Sequence, residues 1–314
     1  MAIKVRIDNL DLKIIVLVKQ VPDTKNVTAN TMKEDGTVNR GALPAIFNPE
    51  DLNALELALW LRDCYGGTVT VMTMGPPAAA EVLRESLYRG ADRTILISDR
   101  QFAGADTLAT SYTLAKAVEK LGEFDLVLTG RQAIDGDTAQ VGPQTAEKLG
   151  IPQVTYVQDF QYFDSVGRII VRRDTEMGYE QVLLPRPALL TITHSAAEAR
   201  PASAKRLIRF KRAAISFEVR NRISTQYPEM TGEALDNRVR EECEKLKREG
   251  LFIEQWGFDD MAVDPGRIGL AGSPTKVKKI ETVVVTGGQT ERIDATEAGI
   301  GNLVHRLIAD HSLS

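Results

Sequence analysis

Apolar and polar positions alternate in blocks along the first half of the chain. From residue 13 to about residue 149 one unit recurs: a short β-branched apolar run, a loop containing Gly or Pro, then a longer stretch of helical periodicity. Residues 14–18 are apolar at successive positions, as a parallel strand covered on both faces must be, and residues 68–74, 94–98 and 125–129 repeat the pattern. The first helix opens at Asn48-Pro49-Glu50-Asp51, where Asn suits a cap, Pro suits the first helical position and two acids suit the positive end of the dipole. It closes at Gly66-Gly67. Further helices are predicted over 77–89, 106–121 and 138–149, each followed by a glycine: Gly90, Gly122 and Gly150. This repeat predicts an α/β fold built on a mostly parallel, doubly wound sheet.

After Pro152 the pieces shorten. Residues 154–157, 168–173 and 181–184, with Gly167 and Gly178 as turn residues, predict antiparallel strands at the sheet edge; residues 188–193 return to a buried strand. No βα repeat follows His194, so a compact domain is expected at 1–194 and an extension at 195–314. The extension begins with a basic stretch, residues 200–222, carrying eight Lys/Arg against Glu218 alone. A charged helix over 233–250 has Leu235, Val239 and Leu246 as its few apolar anchors; its role, docking a further subunit or bracing the extension, stays open. A strand is predicted at 282–285 and a terminal helix at 294–308. Such an arm cannot bury enough apolar surface alone, so it either folds across another subunit or remains a solvated tail.

Composition narrows the function. At 314 residues, 43% hydrophobic and 26% charged, the chain is an ordinary globular one. Its 39 basic and 43 acidic residues give a charge of −4, which argues against a general nucleic-acid binder. Cys64 and Cys243 are too far apart in sequence for a CxxC pair, so neither a disulfide framework nor a structural zinc site is expected. No segment has the apolar core of a secretory signal or the ~20 apolar residues of a membrane span, and a cytoplasmic location is the expectation. Three histidines and 6% aromatic residues leave little for acid/base work. No catalytic side chain and no metal are therefore expected, and a cofactor would carry any chemistry.

The most informative segment is residues 130–142, GRQAIDGDTAQVG, which follows a buried strand and leads into a helix. That places it at the carboxyl edge of a parallel sheet, where open α/β folds bind ligands. Asp137 can cap the helix, the amides of Thr138 and Ala139 would then face an incoming anion, and Gly130 and Gly136 would let a phosphate approach the main chain. A well-capped turn with no ligand fits the same residues. Neither GxGxxG nor GxxxxGK[ST] is present, and no GxSxG elbow accompanies His194-Ser195. Asp135 and Asp137 suit helix caps better than a magnesium site. Loops rich in Gly, Pro, Asp and Thr also follow the other strands, at residues 18–24, 74–77 and 98–107.

Taken together, Val18-Lys19-Gln20-Val21-Pro22-Asp23-Thr24, Asn48-Pro49, Met74-Gly75-Pro76, LYRGAD at 87–92 and the 130–142 run resemble the beta subunit of electron transfer flavoprotein, in that family's order and spacing. The resemblance covers residues 13 to about 190 closely. It implies a Rossmann-like, adenine nucleotide alpha-hydrolase-like domain, paired with an alpha subunit that holds the electron-transferring FAD. By this resemblance, nucleotide contacts fall on Leu17, Val18, Lys19, Asn48, Asp51, Met74, Gly75, Asp106, Thr107, Thr110, Gly130, Arg131, Gln132, Ala133, Asp135, Gly136, Asp137, Thr138, Ala139, Gln140 and Val141. Pro22, Asp23 and Thr24 would lie near a flavin ring or NADH.

One branch of that family holds AMP in this pocket, and another holds a second FAD that takes a hydride pair from NADH and splits the electrons. The 21–24 loop, the helix start at 104–110, Arg131 with residues 136–138, and Gly272-Ser273-Pro274-Thr275 resemble the second branch. FAD is thus the expected cofactor, NADH the donor, and an acyl-CoA dehydrogenase-type or other flavoprotein the partner, with ferredoxin as a further acceptor. The family's partner loop, usually Glu-Pro-Arg-Tyr followed by Leu-Pro, is here Glu198-Ala199-Arg200-Pro201 followed by Ala204-Lys205-Arg206-Leu207, which implies a different partner surface including Arg200, Lys205, Arg206, Leu207 and Arg209. A rival of another class is an ATP-binding or ATP-hydrolysing module on a similar scaffold; it would lack both usual glycine signatures.

Overall fold

The computed structural model describes residues 10–23, 43–275 and 292–309. Strands β1 (Leu12–Leu17), β4 (Gly67–Met74), β5 (Arg93–Ile97), β6 (Leu126–Gly130), β7 (Gln153–Phe163) and β10 (Ala188–Ile192) form the body of one sheet. A short ribbon, β2 (Gln20–Pro22) paired antiparallel with β3 (Ala45–Phe47), carries the chain from β1 to the first helix. The full strand order is β11-β5-β4-β1-β6-β10-β7-β8-β9, with β8 (Ile169–Thr175), β9 (Gly178–Leu184) and β11 (Glu254–Trp256) at the flanks. Every pairing from β11 to β7 is parallel; β7 to β8 and β8 to β9 are antiparallel. This is the mostly parallel, doubly wound sheet that the recurring apolar runs predict.

Side-chain alternation along the strands divides the core in two. Ile14, Val16, Val71 and Leu128 face α1 (Pro49–Tyr65) and α2 (Ala80–Arg89), packing with Leu55, Leu59 and Leu83. Ile15, Leu17, Ile95 and Val127 face α3 (Thr107–Leu121) and α4 (Val141–Leu149), packing with Tyr112, Leu114 and Ala146. Each strand is thus buried on both sides, which is why its apolar run is unbroken.

The boundary expected at residue 194 runs through a continuous core. Helices α5 (Ala204–Phe210), α6 (Ser216–Gln226) and α7 (Gly232–Glu249) bring Phe210, Ile215, Val219, Ile223, Val239 and Leu246 into the same cluster as Leu55 and Leu83. Beyond them β11 pairs with β5, setting Trp256 opposite Ile97. Periodicity could not show this, because β11 has only three residues and only Trp256 of them is buried. The charged helix α7 braces the domain through Leu235, Val239, Cys243 and Leu246. Helix α8 (Glu297–Ala309) differs: none of its residues is buried, and Ile300, Leu303, Val304 and Ile308 are exposed along one side. The strand expected at 282–285 lies outside the described residues.

Candidate functional site

Strand order reverses at β1, whose neighbours β4 and β6 lead to opposite halves of the sheet. The carboxyl ends of β1, β4, β6 and β10 therefore surround a topological switch point, where a crevice forms because successive connections leave on opposite faces. Leu17, Met74 and Gly130 end their strands, with Val18, Lys19 and Gly75 immediately beyond.

The first turn of α1 is the anchor of the site. Asn48 was expected to cap the helix with its side chain and does not. Its amide instead donates to the Gln132 carbonyl at 2.9 Å, while its Oδ1 accepts the Ile134 amide at 3.1 Å. Asp51 Oδ2 accepts the Lys19 amide at 2.8 Å and Oδ1 accepts the Gly130 amide at 2.9 Å, tying β1 to β6. Glu50 accepts the Gln132 amide at 3.1 Å and pairs with Arg131, again at 3.1 Å. All three polar side chains are buried. Their role is to satisfy loop amides across the switch point, and the dipole argument that the sequence supports is secondary to it. Burial pushes the Asp51 carboxyl up from 3.8 to about 7, against the opposing pull of the Lys19 amide, Asn48 and the Gly130 amide.

Gly130 is required by this packing. A Cβ there would lie 2.5 Å from Asp51 Oδ1 and 2.8 Å from the Asp51 nitrogen. At Gly136 a Cβ would meet nothing within 4 Å, so the space beside that glycine is open.

The helix expected from 138 begins at Val141, and Asp137 is not its cap. Asp137 and Ala139 adopt left-handed backbone, at φ 49° and 52°, which interrupts the helix before it can start. Gln140 follows in the right-handed region. Adjacent left- and right-handed residues turn successive amides toward one concave side, an arrangement called a nest that suits an anion. Among the described residues the amides of Thr138, Ala139 and Gln140 meet no protein acceptor. Around the nest, Gln132 donates to Asp137 at 3.0 Å, Gly136 and Asp137 donate to the Ala133 carbonyl, and Thr107 donates to the Gln140 side chain at 2.9 Å. Lys19 Nζ lies 2.7 Å from Asp135.

Asp106 is engaged elsewhere. Its Oδ1 caps α3 at the Leu108 and Ala109 amides, and its Oδ2 accepts both the amide and the hydroxyl of Thr275. Burial works against its ionisation, but the Thr275 hydroxyl and these amides outweigh it and hold the carboxyl below the usual range. Asp106 thus clasps the 272–275 segment rather than presenting a free carboxylate, and Ser273 Oγ accepts the Asp106 amide at 2.9 Å. Thr110 lies half-buried on α3 one turn further on. Pro22 is half-buried and Asp23 buried at the end of the β2 ribbon. Thr24 lies outside the described residues.

The expected partner residues divide. Arg200 holds Glu56 at 2.8 Å and Asp63 at 3.0 Å, and Arg206 donates to the carbonyls of Leu87 and Ala91 at 2.6 Å each. Lys205, Leu207 and Arg209 are exposed. Two residues near the site carry no signal in the sequence for what they do: Glu50 as an acceptor for the loop, and Tyr156, whose ring lies 5.5 Å from the Arg131 guanidinium.

The fold and site define a doubly wound α/β protein whose polar loops meet at the switch point of a parallel sheet. A family model described as the electron transfer flavoprotein domain matches residues 35–215. The electron transfer flavoprotein subunit beta of Clostridium acetobutylicum is 44% identical over 283 residues, 90% of this chain and 92% of its own length. Subunit CarD of the caffeyl-CoA reductase-Etf complex of Acetobacterium woodii is 54% identical over 181 residues, 57% of this chain and 68% of its own. The acryloyl-CoA reductase electron transfer subunit gamma of Anaerotignum propionicum is 50% identical over 182 residues, 57% of this chain and 67% of its own. The chain belongs to the electron transfer flavoprotein family, alongside its beta subunits, and its class of function is electron transfer. No helix among the described residues is long and apolar enough to cross a membrane.

Proposed function

We propose that this chain is the beta subunit of a cytoplasmic heterodimer with an alpha subunit, and that it holds FAD at the switch point with the adenylate half over the 130–142 loop. The observation that carries this reading is the nest: three successive amides without protein acceptors, beside a glycine with space where a Cβ would be. That donor set fits a phosphate. Thr138, Ala139 and Gln140 would hold it through their backbone, while Asn48, Glu50 and Asp51 keep the loop in the conformation that presents those amides. Lys19 is drawn to Asp135, so the backbone supplies much of the attraction. When bound, the flavin supplies acceptance of hydride from NADH and release of single electrons. Pro22 and Asp23 border the ring or the nicotinamide, and Lys205, Leu207 and Arg209 offer the exposed part of a surface for an acyl-CoA dehydrogenase-type flavoprotein. Ferredoxin is the second acceptor. The uncovered apolar side of α8 packs on the alpha subunit.

Kinship with the caffeyl-CoA and acryloyl-CoA reductase subunits supports a reductase-linked carrier. Acid extraction of the purified heterodimer, followed by chromatography of the released nucleotides, tests the cofactor. Two FAD per heterodimer is the expected result. One FAD with one AMP would assign the chain to the conventional branch, and ATP turnover would overturn both.

A further inference from the structure

We propose that Tyr156 is a positioning residue that holds the Arg131 guanidinium toward the phosphate of the bound nucleotide. Tyr156 lies in β7, at a place where the pairing with β10 carries an extra residue: Leu190 is opposite Val154, but Ile192 is opposite Val157. A bulge re-aims a side chain, and here it does so at the carboxyl edge, since Ile192 is also the partner of Gly130 on β6. Tyr156 adopts φ 59°, a left-handed conformation that costs an aromatic residue free energy and that glycine would adopt without strain. Its amide is held by Thr191 Oγ1 at 3.1 Å, so the strained backbone is fastened in place. The residue is 39% exposed, which is too much for the strain to be offset by burial in the core.

What the ring does touch is Arg131. The guanidinium carbon lies 5.5 Å from the ring centroid, within the range of a cation–π contact. Glu50 takes two of the three guanidinium nitrogens, Nε at 3.3 Å and one terminal nitrogen at 3.1 Å. The other terminal nitrogen meets no acceptor among the described residues. Glu50 on one edge and Tyr156 against the guanidinium thus fix the plane of a cation that stands on the same loop as the nest and keeps N–H groups to spare. Planar, pre-oriented guanidinium is well matched to phosphate oxygens. A tyrosine kept in strained backbone for a contact of this kind has a reason to be there; a glycine would serve the bulge better.

This inference rests on the reading that a nucleotide occupies the loop, and the test separates the two. The full chain, assembled with its alpha subunit and freed of bound nucleotide, is titrated with ADP and with adenosine. Wild-type binding of ADP tests the site itself. For the tyrosine, Tyr156→Ala should weaken ADP by roughly three- to tenfold while leaving adenosine unchanged. Tyr156→Phe, which keeps the ring, should restore wild-type affinity. Arg131→Ala should weaken ADP at least as much, and adding Tyr156→Ala to it should cause no further loss. Tyr156→Gly relieves the strain; retained folding together with the ADP-selective loss would show that the effect is not a folding defect. Equal losses for ADP and adenosine, or additive losses in the double variant, would overturn the proposal even if the nucleotide binds as expected.

Discussion

Asp51 condenses the logic of the site into one carboxyl. It sits where β1, β6 and α1 converge and accepts an amide from each strand's end, yet burial raises its pKa to about 7. In the unfolded chain this group loses its proton near 3.8, so between about pH 4 and 7 the unfolded state holds fewer protons than the folded state. The contribution of Asp51 to stability is therefore complete below the unfolded value, falls as pH rises through about 7, and is level above it. Urea unfolding of the wild type and of Asp51→Asn across this range should show the wild type losing ground to the variant as pH rises; a constant difference would contradict the assignment. The two loop glycines make an internal comparison. Gly130→Ala places a Cβ against Asp51 and should cost about 1–3 kcal/mol in unfolding measurements. Gly136→Ala meets nothing in the protein and should leave stability within about 0.5 kcal/mol, while lowering nucleotide content if phosphate passes close to that position. Asn48, Glu50 and Asp51 were legible as a helix start because their residue types and order are those of one. Their service to a loop some eighty residues away was not, since sequence proximity carries no information about which amides need acceptors.

At the scale of elements, the basic stretch after β10 changes meaning once it is folded. Arg206 lies along the end of α2 and donates to the carbonyls of Leu87 and Ala91, where a helix C-terminus leaves acceptors unpaired. Its neighbours Lys205 and Arg209 are exposed. Arg206→Glu should therefore destabilise the chain by about 1.5–3 kcal/mol in chemical unfolding. Reversal of charge at Lys205 and Arg209 together should leave the unfolding midpoint unchanged and slow electron transfer to the partner, read as a lower rate that converges with wild type at high salt. A loss of bound nucleotide in that double variant would count against a docking role. The start of α4 teaches the same lesson. Thr138 satisfies the pattern of a helix opening, but left-handed backbone at Asp137 and Ala139 delays the helix to Val141 and leaves a nest in its place. Backbone sign is invisible in a pattern of polar and apolar residues, and neither position is a glycine that would have announced it.

For the whole molecule, residues on both sides of position 194 contribute to one core. Residues through β11 share the sheet and its core, whereas α8 has no buried residue and shows Ile300, Leu303, Val304 and Ile308 to its surroundings. Truncation after residue 291 should thus leave the unfolding midpoint of the isolated chain unchanged and weaken assembly with the alpha subunit, measured by size-exclusion chromatography of the mixed subunits. A lowered midpoint would place α8 in the fold itself. By itself the sequence determined the parallel α/β class, the alternation of strands and helices in its repeat, the loops at their carboxyl ends and the family, because apolar runs, caps and short motifs are local and survive in one dimension. Only the tertiary structure decided that β11 closes the sheet beside β5, that the polar start of α1 holds the 130–142 loop, and that Tyr156 meets Arg131. Each of these pairs residues far apart in the chain, and the free energy that selects them comes from burial and from amides that must find acceptors, which are properties of the folded chain as a whole.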